Sequence, residues 1–268
     1  MNKLVLFLLL ISSLLFTACG SGQSWEKEEE TIEVSNRIIS DDVNVEWELV
    51  EKQASDEETL IRLKISYNGI PIQDFDVNHE KLLHLIIVSE DLSYFNHIHP
   101  EYLGDGVFEI TNQFPAGGKY RMVADFKPTD GSSVSKLEWI NVKGKVAEPV
   151  PINVDNVFER VVDKKHVSMS IEPQIEAGKE LTMKFSLTDE ITRQPISNLE
   201  PYLGSIGHVV VLSEDGERYL HVHALENQGT GPDALFETEF PESGVYKVWG
   251  QFQKDGQVFT VSYVVKVP

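Results

Sequence analysis

Two stretches of the chain carry the same three histidines at the same spacing. The first runs His84-Leu-Ile-Ile-Val-Ser-Glu-Asp-Leu-Ser-Tyr-Phe-Asn-His97-Ile-His99. The second runs His208-Val-Val-Val-Leu-Ser-Glu-Asp-Gly-Glu-Arg-Tyr-Leu-His221-Val-His223. Three converging imidazoles suit a first-row transition metal, because histidine nitrogen binds zinc, copper and nickel. Three ligands leave one position open for water, a fourth protein ligand or a partner's ligand. No thiolate accompanies them, which excludes a blue-copper set. The ion expected is Cu(II) or Zn(II). Copper stands slightly ahead, since an oxidising exterior favours Cu(II) and the divalent affinity order peaks there. A second reading stays open: three histidines in a hairpin can be a buried hydrogen-bonded cluster with a purely structural role. Six of the chain's 8 histidines fall at matching positions, which favours the metal. His79 and His166 have no counterpart and read as structural or surface residues. His79 precedes the strand of His84 and is a weaker candidate for a fourth ligand.

For these residues to meet, each triplet must lie on a β-hairpin. Asp215-Gly216 is a two-residue hairpin signal. Counting outward from it, Val210 faces His221 and His208 faces His223. Side chains two apart share a face of a strand, so His208, His221 and His223 fall on one face. The same count about Asp91-Leu92 sets His84 opposite His99, with His97 on the same face. Leu92 is a poor residue for such a turn, and a slip of one residue would break the cluster.

The stretches belong to a longer internal repeat. Phe114-Pro115-Ala-Gly-Gly118-Lys-Tyr120 matches Phe240-Pro241-Glu-Ser-Gly244-Val-Tyr246, and Lys64-Ile-Ser66 echoes Lys184-Phe-Ser186. Each copy reads as about seven short strands rich in Val, Ile, Tyr and Phe, divided by Gly, Pro, Asn and Asp. In the second copy one strand is expected over 218–223. The reading is all-β: two tandem immunoglobulin-like β-sandwich domains, 38–146 and 152–268, joined by the Gly- and Pro-bearing run between them.

The chain opens with Lys3 and an apolar run from Leu4 that is too short for a confident membrane span. Leu15-Phe16-Thr17-Ala18-Cys19 follows, and small residues before a cysteine resemble a bacterial lipobox. That resemblance implies a signal peptide over 1–18, cleavage before Cys19, lipid on Cys19, and an acidic tether over 19–37. The chain's single cysteine would then be blocked, leaving no disulfide or cysteine nucleophile. The expected location is the extracytoplasmic face of a cell membrane. A formal charge of -20 argues against nucleic acid as a partner.

Other motifs read as structure. The Phe-Pro-x-x-Gly-x-Tyr segments loosely resemble the tyrosine corner of sandwich domains. Glu90-Asp91 and Glu214-Asp215 sit at hairpin tips as solvated turn residues rather than an acid/base pair. Trp249, where the first copy has Val123, reads as core filling. The Gly-rich run at 229–233 lacks a P-loop lysine, and neither Gly-x-Ser-x-Gly nor His-Glu-x-x-His occurs. No enzyme is expected.

The chain resembles a family of largely uncharacterised secreted bacterial proteins. The residues that carry the likeness are Glu80 to Ser89, Tyr94 to Pro100, Pro201 to His208, the His-Val-His at 221 to 223, and Tyr246 to Phe252. The resemblance implies an extracytoplasmic β-sandwich with a role in heavy-metal handling, distantly similar to periplasmic copper-resistance proteins. Relatives often carry a methionine before the Gly-His. Ser205 and Ile206 stand there in this chain, so that thioether ligand for Cu(I) is missing.

The leading expectation is a membrane-tethered protein that buffers or hands over Cu(II) or Zn(II), with a three-histidine site in each repeat and a metal-transport or envelope protein as possible partner. The alternative is an adhesion or accessory module of the envelope with structural histidines. A copper-dependent redox enzyme is a third and weaker reading.

Overall fold

The computed structural model describes residues 38–50, 55 and 57–268. The signal segment, the tether and Cys19 lie outside the described residues. Among the described residues no helix is long and apolar enough to cross a membrane.

Besides the two-residue strands Ile70–Pro71 and Phe75–Asp76, the strands of the first repeat are β1 (Val43–Val50), β2 (Glu58–Tyr67), β3 (Leu83–Ser89), β4 (Phe95–Ile98), β5 (Glu101–Gly104), β6 (Val107–Gln113), β7 (Gly118–Pro128) and β8 (Val134–Val142). Those of the second are β9 (Lys165–Glu172), β10 (Glu180–Asp189), β11 (His208–Ser213), β12 (Tyr219–Leu220), β13 (His223–Ala224), β14 (Asp233–Glu239), β15 (Gly244–Lys254) and β16 (Gln257–Val267). One sheet of the first repeat has the order β1-β2-β6-β5, the other β8-β7-β3-β4. The second repeat follows with β9-β10-β14-β13 and β12-β11-β15-β16, plus the short strand Glu159–Val162 beside β9. All these pairings are antiparallel. This is the sheet membership of an immunoglobulin-like sandwich, with an added edge strand beside the third.

The tyrosine corner, only loosely suggested by the sequence, is present in both copies. Tyr120 donates its hydroxyl proton to the carbonyl of Ala116 at 2.8 Å, and Tyr246 to that of Glu242 at 2.9 Å. Each ring is buried at the start of its strand and packs on the phenylalanine of the same motif, Phe114 or Phe240.

Alternation along a strand divides each β3-type sheet between two interiors. Leu83, Leu85 and Ile87 face the core of the first sandwich; Val209 and Val211 face that of the second. The intervening residues Ile86, Val88, Val210 and Leu212 do not face water. They meet Leu92, Val123 and Trp249 in a third apolar cluster between the repeats. The two sandwiches therefore dock sheet against sheet, and β3 and β11 are buried on both faces. Such strands read as continuous apolar runs. Trp249 is part of this seam and stacks on Phe95, ring centroids 5.0 Å apart, rather than filling a sandwich core. Arg121 donates to Glu217 at 2.8 Å across the seam, and Lys247 donates to the carbonyl of Leu92 at 2.7 Å.

The hairpin turn differs from the two-residue form, although the register is as counted. Ser89 pairs with Tyr94 and Ser213 with Arg218, so the loops have four residues. Asp91 and Asp215 anchor them by accepting hydrogen bonds from Ser89 and Ser213. The residue after each aspartate is left-handed, with φ 55° at Leu92 and 68° at Gly216. Glycine adopts this freely, whereas leucine is strained there. Leu92 is fully buried in the seam, and that burial offsets the strain.

Replacing Trp249 with alanine should lower the stability of the chain by about 3–5 kcal/mol, the cost of deleting a large buried ring. The midpoint of urea unfolding reads it; a loss below about 1 kcal/mol would mean that the seam is loosely packed.

Candidate metal centre at the seam

The histidines occupy the polar end of the seam. His84 shares the outward face of β3 with Ile86 and Val88, and His208 shares that of β11 with Val210 and Leu212. Docking of the apolar residues therefore brings the two histidines together. Their rings stack across the seam with centroids 5.5 Å apart and planes 10° apart. Gly207 lets β11 lie this close to its neighbour: a Cβ there would stand 2.6 Å from the Phe252 ring and 2.7 Å from the Gln251 carbonyl.

Around this pair the first triplet closes. Leu85 pairs with Ile98, the register that sets His84 opposite His99. His84 Nδ1 lies 3.0 Å from His97 Nε2, and His84 Nε2 lies 2.9 Å from the carbonyl of Asn78. One ring nitrogen from each of His84, His97 and His99 falls within 4.8 Å of the others, and among the described residues no other group of three gathers so. His99 Nε2 is buried and makes no hydrogen bond. This arrangement could hold a metal ion.

The second triplet does not close in the same way. Val211 pairs with Leu220, so the hairpin starts in the expected register. The strand expected over 218–223 then breaks. β13 begins at His223 and crosses to the other sheet, where His223 pairs with Glu237. In the first copy the chain passes His99 and Pro100 before the matching strand β5 starts at Glu101. The earlier crossover draws His223 to an exposed edge and away from His208. His208 is left with the first repeat's histidines, 4.9 Å from His97 between ring centroids.

His79 is half-buried rather than peripheral, and it borders the same cleft as His223. It sits at the centre of the group, with ring centroids 5.3 Å from His208, 5.9 Å from His221 and 6.0 Å from His84. The tight turn Asn78 to Lys81 places it there, with left-handed φ at both His79 and Glu80. The second repeat makes the same turn from Tyr202 to Ser205 but carries Leu203 where the first has His79. His166 lies elsewhere, 3.5 Å from Glu159.

The middle histidine of each triplet reaches across the seam to the same place on the opposite repeat. His97 Nδ1 lies 2.7 Å from Gln251 Oε1, and His221 Nδ1 lies 3.1 Å from Asp125 Oδ2. Gln251 and Asp125 are equivalent residues of β15 and β7. Tyr219 also donates to Asp125, at 2.8 Å. Neither Asp125 nor Gln251 was singled out by the sequence; the only trace was their matching position before Phe126 and Phe252.

Burial dominates the electrostatics. It holds His79 down to about 4, helped by neighbouring His221 and His84, and His99 down to about 4, helped by His84. Burial also holds His97 and His208 well below the usual imidazole value, and His84 and His223 below it. Neutral imidazole is the ligand form, so these rings are poised for a cation at neutral pH. His221 moves the other way, raised by its hydrogen bond with Asp125. Burial pushes Asp125 up, but the bonds from His221 and Tyr219 bring it below its ordinary value.

A histidine depressed in the fold binds fewer protons there than when unfolded, so its contribution to stability is lost as pH falls below about 6.5. His221 opposes this alone, its contribution being lost as pH rises through its elevated pKa. The metal-free chain should therefore lose about 2–5 kcal/mol between pH 7 and pH 5. Urea midpoints at the two values test it; equal stability would show that the imidazoles are solvated.

Comparison with known proteins bears on family. Residues 37–144 and 160–268 each match a family described as "Domain of unknown function (DUF8832)". No curated protein matches. Among solved structures, the bacterial integrin-binding protein invasin is 11% identical with a TM-score of 0.27, over 84% of this chain and 39% of that one. This chain thus spans about two fifths of invasin's length. A two-domain fibronectin type III segment of chicken tenascin is 14% identical, TM-score 0.24, over 83% of this chain and 98% of that one. Domains 4 and 5 of the S-layer protein SbsC are 12% identical, TM-score 0.23, over 84% and 97%. These likenesses are too slight to bear on what the chain does. The match that spans both sandwiches is the decisive one: the chain belongs to the DUF8832 family and carries its domain twice.

Proposed function

We propose that this chain binds one Cu(II) or Zn(II) ion at His84, His97 and His99, and that it buffers or hands over the ion on the outer face of a membrane to which lipid on Cys19 tethers it. The observation that carries the reading is the convergence of three imidazoles, one of them with a buried nitrogen that has no hydrogen-bond partner. A buried polar atom left unpaired costs about 1–3 kcal/mol, and a metal ion removes that cost. With metal–nitrogen bonds of roughly 2.0–2.1 Å, two ligands of a tetrahedral ion stand about 3.3 Å apart. His84 and His97 are already at 3.0 Å, and a modest approach of His99 completes the set. The reading differs from one site per repeat, because the second triplet is split between the seam and the sheet edge.

A structural role for the cluster is favoured by one observation. His84 and His97 already face each other, the Asn78 carbonyl and Gln251, and with the Gln251 amide turned so that its nitrogen donates to His97 Nδ1 the two neutral rings are satisfied without an ion.

Titration of the full chain with Cu(II) and with Zn(II) decides between the two. One equivalent should bind tightly, and His99→Ala should lose it by at least about tenfold in affinity while keeping its circular dichroism. A parent chain that binds neither ion leaves the histidines as seam structure. Separately, Cys19→Ala should move the chain from the membrane fraction to the soluble fraction of cells; retention at the membrane would remove the lipid anchor from the proposal.

A further inference from the structure

His223 stands apart from the buried group, yet no gap in the histidines separates them. It is exposed and lines two clefts, of about 520 and 440 Å³. Its ring lies 4.6 Å from that of His221, which is 5.9 Å from His79. His79 is 6.0 Å from His84, which is 5.2 Å from His97 and 5.0 Å from His99. Two imidazoles bound to one ion have centroids at most about 6.4 Å apart, given metal–nitrogen bonds of roughly 2 Å. Every step of the series falls inside that limit. The spacing therefore leaves room for an ion between successive rings, provided that each ring turns a nitrogen toward it.

We propose that His223, His221 and His79 form a loading relay for a divalent transition-metal ion, running from the clefts at the sheet edge to the buried histidines of the seam. The inference rests on the metal-binding reading and adds a route to it. Three further observations support it. The donor nitrogens of the relay residues do not gather as a group, so they suit passage better than storage. The smaller cleft is bordered by Glu180, Glu237 and Glu239 beside His221 and His223, and a cleft of one charge raises the local concentration of the opposite ion. His79 is held by a turn strained at two residues, and such strain persists where the surroundings enforce it. Of the three ligands of the site, His84 and His97 are buried beneath the second repeat and His99 is half-buried.

The test is the rate at which the full chain takes Zn(II) from a chromophoric chelator in a stopped-flow mixer. His223→Ala removes an exposed ring; His79→Leu installs the residue that the second repeat carries in the same turn. Both should slow uptake by about tenfold and slow release by the same factor, with one ion bound at unchanged affinity. Uptake at the parental rate in both variants overturns the relay and places the route beside His99. A fall in the number of ions bound also overturns it, making these histidines a storage site. A parent that takes up no zinc or copper fails at the metal-binding reading itself, before the relay is in question.

Discussion

The docking of one sandwich on the other through their β3 and β11 sheets is the interaction on which the candidate site depends. The first repeat alone supplies the triplet, but neither repeat alone builds the buried seam around it. Ile86, Val88, Leu92 and Val123 need Val210, Leu212 and Trp249 to leave water, and apolar burial of this kind is non-directional. It fixes how closely the sheets approach but leaves their polar end to be resolved by other means. At that end the same approach forces His84 against His208 and takes His84, His97 and His208 out of water. The depressed proton affinity of the imidazoles follows from this, as does their readiness to act as neutral ligands.

The seam has approximate two-fold symmetry, and the departures from it are where chemistry becomes available. The pairs His97 with Gln251 and His221 with Asp125 are related by exchange of the repeats. One position offers a neutral amide and the other a carboxylate, so one middle histidine stays neutral and the other is drawn toward protonation. His79 opposite Leu203 and Trp249 opposite Val123 are further breaks in the duplication. A symmetric seam would offer two equal half-sites. The diverged one offers a closed triplet in one repeat and an open pair at the edge of the other.

Much of this was legible in the sequence. The duplicated motifs fix two copies of a strand-rich domain, and alternation along strands with the hairpin register places His84 opposite His99. Those are local properties, set by a period of two and by turn chemistry, and a single chain displays them. The turn itself was read too short, because an aspartate that binds a serine two residues back supports a four-residue loop with the same pairing. The strand expected to carry His221 and His223 together was broken by pairing with a distant strand, β14, which no local pattern records.

What only the tertiary structure decided is which histidines join or leave the expected triplets. The sequence determined the hairpins, the tyrosine corners and the faces on which the imidazoles stand. It was silent on whether those faces look to solvent, to the sandwich interior or to the other repeat. A run such as Leu83 to Val88 is equally apolar for any strand buried on both sides, whatever covers it. His79 shows the consequence. It has no partner in the repeat and no periodicity to place it, so its position among His84, His208 and His221 comes from packing between segments far apart in the chain.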